Sequence, residues 1–132
     1  MTPEPTSHPS PGKRDDHAEI ESLLERILVV AEGNVDLPVL RELWVRFAST
    51  VEAHFQMEER VVFRRASNYD VDDLLWLWRD HGKLRESIEQ MTAEVERRAL
   101  RPDALREFRE KLRAHAELED RTAYRWASWD RR

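Results

Sequence analysis

His54-Phe55-Gln56-Met57-Glu58-Glu59 sits near the middle of a chain of 132 residues. Outward from it, Leu40, Trp44, Phe47, Val51, His54, Glu58 and Val61 follow one another at alternating steps of four and three. That is the period of one helix face turned toward a core. His54 and Glu58 break the apolar rule on that face, one turn apart. A buried carboxylate is costly unless it is paired or bound to a metal. A His and a Glu at this spacing can hold one cation between them, provided other helices supply ligands at the same depth.

Three further stripes flank this one. A helix over Lys13 to Glu32 turns His17, Ile20, Leu24, Ile27 and Ala31 inward, and Gly33 and Asn34 stop it. Asp36 and Pro38 open the helix that carries His54, which is expected to run from Leu37 to Ala66. After a turn at Ser67-Asn68-Tyr69, Asp70 caps a helix with the stripe Leu74, Leu77, His81, Leu84, Ile88, Met91 and Val95. Pro102 and Asp103 start the last helix, with Leu105, Phe108, Leu112, His115, Glu119, Thr122, Trp126 and Trp129 inward. Four amphipathic helices with short connections predict an all-α, antiparallel up-down-up-down bundle over residues 13–132. Residues 1–12, with four prolines, read as a disordered or loosely docked tail.

The chain repeats itself. HFQMEERVVFRRAS at 54–67 aligns without gaps to HAELEDRTAYRWAS at 115–128, and Asp16-His17 echoes Asp80-His81. Two copies of one hairpin would place two half-sites face to face. In antiparallel neighbours, residues share a level when the turn lies midway between them. The midpoint of His17 and His54 falls in the Gly33–Asp36 turn, and that of His54 and His81 in the Ser67–Tyr69 turn. For His81 and His115 it falls near Arg98, slightly before Pro102, which requires the third helix to fray there or to tilt modestly. One His from each helix then occupies a single layer, which amphipathicity alone does not demand.

Composition narrows the function. The formal charge is −5 and the 37% of charged residues are mixed in sign, which argues against a nucleic-acid surface. With no Cys, disulfides, thiolate metal sites and Cys nucleophiles are excluded. No apolar run approaches the ~18 residues of a membrane span, and no secretory signal or appended output domain stands out, so a cytoplasmic location is expected. A lone His on an apolar face is usually a hydrogen-bonded core residue. Four at one depth with two carboxylates would need every buried polar group satisfied, a problem that a dication resolves directly. Glu59 and Asp120 follow the stripe acids and are expected behind the ligands or at the surface, with Asp120 replacing Glu119 only if the last helix bulges. Asp16 and Asp80 read as solvated. An exposed Trp76 would point to self-association.

Four imidazoles (His17, His54, His81, His115) and two carboxylates (Glu58, Glu119) suit two metals, each with two His and sharing the acids. Imidazole with carboxylate suits iron, manganese or zinc. Over about residues 14–130 this pattern resembles the hemerythrin-like, HHE cation-binding domains: a lone His in helix 1, HxxxE plus a second acid in helices 2 and 4, and a His in helix 3. The resemblance implies a four-helix bundle around a non-haem di-iron centre with an oxo or hydroxo bridge, ahead of manganese or zinc. It also implies a protein that binds, senses or reacts with O2, peroxide or nitric oxide, or senses iron. Oxygen-carrying members have a second His in helix 3; here Leu77 and Arg85 flank His81. The set is more similar to the hemerythrin-like domain of an iron-sensing F-box protein, and both metals are expected to be more open than in an oxygen carrier. Arg64 and Arg125 stand where family members often carry Pro, so helices 2 and 4 are expected to continue. An enzyme turning over peroxide or nitric oxide, and a metal-free helical interaction module, stay open as alternatives. So does a homodimer or another protein as partner.

Overall fold

The structure, a computed structural model, describes residues 13–33, 36–66 and 70–130. The expected tail, the Ser67–Tyr69 turn and the Trp129 side chain lie outside the described residues. The elements are α1 (Lys13–Glu32), α2 (Leu37–Met57), a π-helical turn (Glu58–Val62), α3 (Phe63–Arg65), α4 (Val71–Glu96), α5 (Pro102–Arg121) and α6 (Ala123–Asp130). They make four rods: α1, α2 through α3, α4, and α5 with α6. No strand occurs among the described residues. α1 packs on α2 and α5, and α4 packs on the same two, so the rods form a four-sided bundle with α1 and α4 on one diagonal.

Local chemistry sets the ends. Asp36 and Asp70 are extended and accept from the backbone N–H groups of Val39 and Asp73, supplying partners that the first helical turn lacks. Pro102, whose missing N–H costs nothing there, opens α5. α4 ends at Glu96, close to the midpoint at residue 98. Arg98 adopts a left-handed φ of 56°, with its N–H on Val95 O and the Ala99 N–H on Glu94 O, so orphan carbonyls are met.

Two apolar clusters fill the interior. The larger joins Leu24, Ile27, Phe47, Val51, Phe55, Leu84 and Leu105 with their neighbours. The smaller joins Val62, Phe63, Ala66, Leu74, Leu77, Ala123, Tyr124 and Ala127. Between them in three of the rods come the inward polar residues, while α1, with His17 near its start, packs only into the larger cluster. Trp44 Nε1 donates to Thr92 Oγ1 over 2.8 Å and ties α2 to α4. Ion pairs Arg113–Glu21, Arg109–Glu25 and Arg106–Glu32 run along the α1–α5 seam.

The stripes hold up to the acids and then slip. Beyond Glu58 the sequence pattern continues to Val61, but Val62, Phe63 and Ala66 are buried and Val61 is only half-buried. The π-helical turn is the reason: its wider i→i+5 bonding takes up one extra residue, so the inward face moves on by one. The last rod does the same at the matching place. Thr122, buried as expected, leaves helical geometry at φ −123°, ψ −89°; Ala123, Tyr124 and Ala127 are then buried, while Trp126, expected inward, is half-buried against the same cluster. Both rods continue past the acids as expected, but neither is a straight α-helix. Trp76 is 53% exposed, with the Arg79 guanidinium 5.9 Å from its ring.

Candidate metal centre

Helical spacing alone aims His54 and Glu58 at one point, and His115 and Glu119 at another; α1 and α4 add one His each. The structure brings all six together. His17, His54, Glu58 and Glu119 form one group and Glu58, His81, His115 and Glu119 a second, each with one ligand atom per residue within 4.8 Å of the others. The two groups share the carboxylates. All six are buried except His17, which is half-buried.

The imidazoles point inward through Nε2. His54 Nε2 lies 3.1 Å from His17 Nε2 and 2.9 Å from Glu58 Oε2. His81 Nε2 lies 3.1 Å from both Glu58 Oε1 and Glu119 Oε2. His115 Nε2 lies 2.7 Å from Glu119 Oε2.

The other nitrogens of three of them face carboxylates. Nδ1 of His54 donates to Asp16 Oδ2 at 2.9 Å, that of His81 to Glu59 Oε2 at 2.7 Å, and that of His115 to Asp80 Oδ2 at 3.1 Å. An ionised carboxylate cannot donate, so Nδ1 carries a hydrogen, and Nε2 is the nitrogen turned to the centre. A carboxylate behind each His is how metal-ligating imidazoles are usually oriented. Asp16 and Asp80, read from the sequence as solvated, therefore belong to the site. Each lies one residue before the His of its own helix, which turns it by about 100° toward the adjacent rod. The repeat of Asp-His at 16–17 and 80–81 was the available signal. Asp120 stays exposed while Glu119 is buried, so the break at Thr122 does not exchange them.

Other contacts lacked any signal in the stripe. Arg85 clamps Glu59 through Nη1 at 2.8 Å and reaches Glu52 through Nε at 2.9 Å, fixing the acid behind His81. Phe55 stacks on His81 at 4.0 Å between centroids and 12° between planes. The Tyr124 hydroxyl donates to Glu58 Oε2 at 2.8 Å.

The electrostatics divide the two acids. Burial alone would raise Glu58, but hydrogen bonds from His54 and His81 outweigh it and hold it far below the usual carboxylate range. Glu119 is pushed well above that range, first by burial and then by the Glu58 charge. Burial pulls His54 down, yet the Glu58 and Asp16 carboxylates overcome it and leave it raised. His115 is lowered by burial and by its neighbour His81. Burial, then the Glu58 charge, raises Tyr124. Two carboxylates and four inward imidazoles thus crowd one layer.

A cavity of about 250 Å³ opens beside the first group, between α1 and α5, with His17, His54, Ile20, Phe55 and Leu112 in its wall. None of the described helices is long and apolar enough to cross a membrane.

The family model for the hemerythrin HHE cation binding domain matches residues 13–127. Neither the curated proteins nor the solved structures give a match.

Proposed function

The chain belongs to the hemerythrin HHE cation-binding domain family, and from that premise we propose that it holds two iron ions and uses them to bind, sense or react with O2 or a related small oxidant, peroxide or nitric oxide, or to sense iron. The observation that carries the reading is the arrangement of the histidines: inward Nε2 atoms at two shared carboxylates, with Nδ1 of three of them held by Asp16, Glu59 and Asp80. The proposed ligands are His17, His54, Glu58, His81, His115 and Glu119. Imidazole and carboxylate donors fit iron, ahead of manganese or zinc, and iron supplies the electron exchange with an oxidant.

The rest falls to this chain's own side chains. Asp16, Glu59 and Asp80 orient the imidazoles. Phe55 and Phe63 both stack on His81, which is fully buried. Burial and the Glu58 charge favour the protonated form of Glu119, a preference that a bound cation would reverse. With one His in the third rod, each ion has at most four donors from these residues, two imidazoles and the two shared acids. The cavity along His17 supports access by a molecule of a few atoms.

Elemental analysis of protein purified without added metal, together with its visible spectrum, tests the reading. Two irons per chain with charge-transfer absorption are expected; metal-free protein after iron-replete expression would refute it. The cavity also favours a second reading, turnover of peroxide or nitric oxide. Multiple turnovers per chain would establish an enzyme, whereas a sensor reacts stoichiometrically.

A further inference from the structure

The two shared acids sit differently between the histidines. Glu58 spans them with separate oxygens, Oε2 at 2.9 Å from His54 Nε2 and Oε1 at 3.1 Å from His81 Nε2. Glu119 applies one oxygen, Oε2, to both His81 at 3.1 Å and His115 at 2.7 Å. Glu58 is therefore poised as the link from one His pair to the other. A glutamate has three torsions, and on its own it can swing its carboxylate toward either pair. The Tyr124 hydroxyl opposes that swing by donating to Oε2 at 2.8 Å.

Tyr124 reaches this point from α6, beyond the break at Thr122, and is buried. Its counterpart in the sequence repeat is Phe63. Phe63 stacks against His81 at 5.2 Å and has no hydroxyl to offer Glu119. The repeat thus supplies an aromatic ring at both places but a hydrogen-bond donor at one.

We propose that Tyr124 is a positioning residue whose hydroxyl fixes Glu58 as the bridge between the two cation positions and thereby secures the second ion. The proposal rests on the two-ion reading above. Groups that orient a ligand in this way are worth ten- to a hundredfold in metal affinity.

Cobalt(II) titrated into metal-free protein, followed by calorimetry and visible absorption, tests it in wild type and in Tyr124→Phe. Phe keeps the ring and its packing, so the helical signal should not change. Wild type should take up two ions per chain. The variant should bind the first within a few-fold of wild type and the second about tenfold or more weakly. A variant whose second ion binds as in wild type overturns the role of the hydroxyl and leaves the two-ion reading standing. Uptake of a single ion by wild type overturns both.

Discussion

His17 and His54 meet Nε2 to Nε2 at 3.1 Å, their ring planes inclined by 66°. Two imidazole lone pairs that close repel each other unless a proton or a cation lies between them. The Glu58 carboxylate, and after it Asp16 at Nδ1, raise that ring above its ordinary pKa, which favours a proton there when no cation is bound. Metal and protons therefore compete for one position.

Cation binding should release protons. Glu119 and His54 both have raised pKa values, so each tends to carry a proton that a dication must displace. Apparent affinity should rise as pH rises and fall as it drops. Calorimetry of cobalt(II) binding in buffers of different ionisation enthalpy would read the release; buffer-independent heats would contradict it.

His54→Ala should lose metal and also weaken the metal-free fold. Glu58 is fully buried and its main hydrogen bond comes from His54. Removing one partner of a buried pair costs about 3 kcal/mol, a fall of roughly ten degrees in melting temperature for a domain of this size. Circular dichroism at low temperature should still report a helical bundle, because the larger apolar cluster is untouched.

Asp16→Asn and Asp80→Asn should each weaken metal binding by about tenfold, since each removes the anion behind an imidazole. Melting of the metal-free protein should change much less. If both variants bind cobalt(II) like wild type, the two aspartates are merely surface residues.

Arg98→Gly should stabilise the protein by about 0.5–1 kcal/mol, because Arg98 holds a φ of 56° that a residue without Cβ adopts freely. The connection lies about 25 Å along α4 from His81, by helical rise, so metal affinity should stay unchanged. Denaturant midpoints measure the first and titration the second.

The bundle and its six inward polar residues were legible because stripe positions obey a strict period and each interruption is conspicuous. His81 stands alone among Leu74, Leu77, Leu84 and Met91. The supporting acids were not legible from the stripe. Asp16 and Asp80 serve a neighbouring rod, and a pattern read along one helix cannot show what crosses to the next. Tyr124 escaped for another reason: no Pro or Gly announces the change of phase after Glu119, so the expected inward face ran through Trp126 instead.

That change of phase, present after Glu58 and again after Glu119 on diagonal rods, limits how the centre can be transplanted. A designer who grafts the six side chains onto four ideal, straight helices would seat them at the right height. Every residue beyond them on two rods would then be dialled about 100° away from its seat, Tyr124 among them. The recipient scaffold has to inherit both irregular turns along with the side chains.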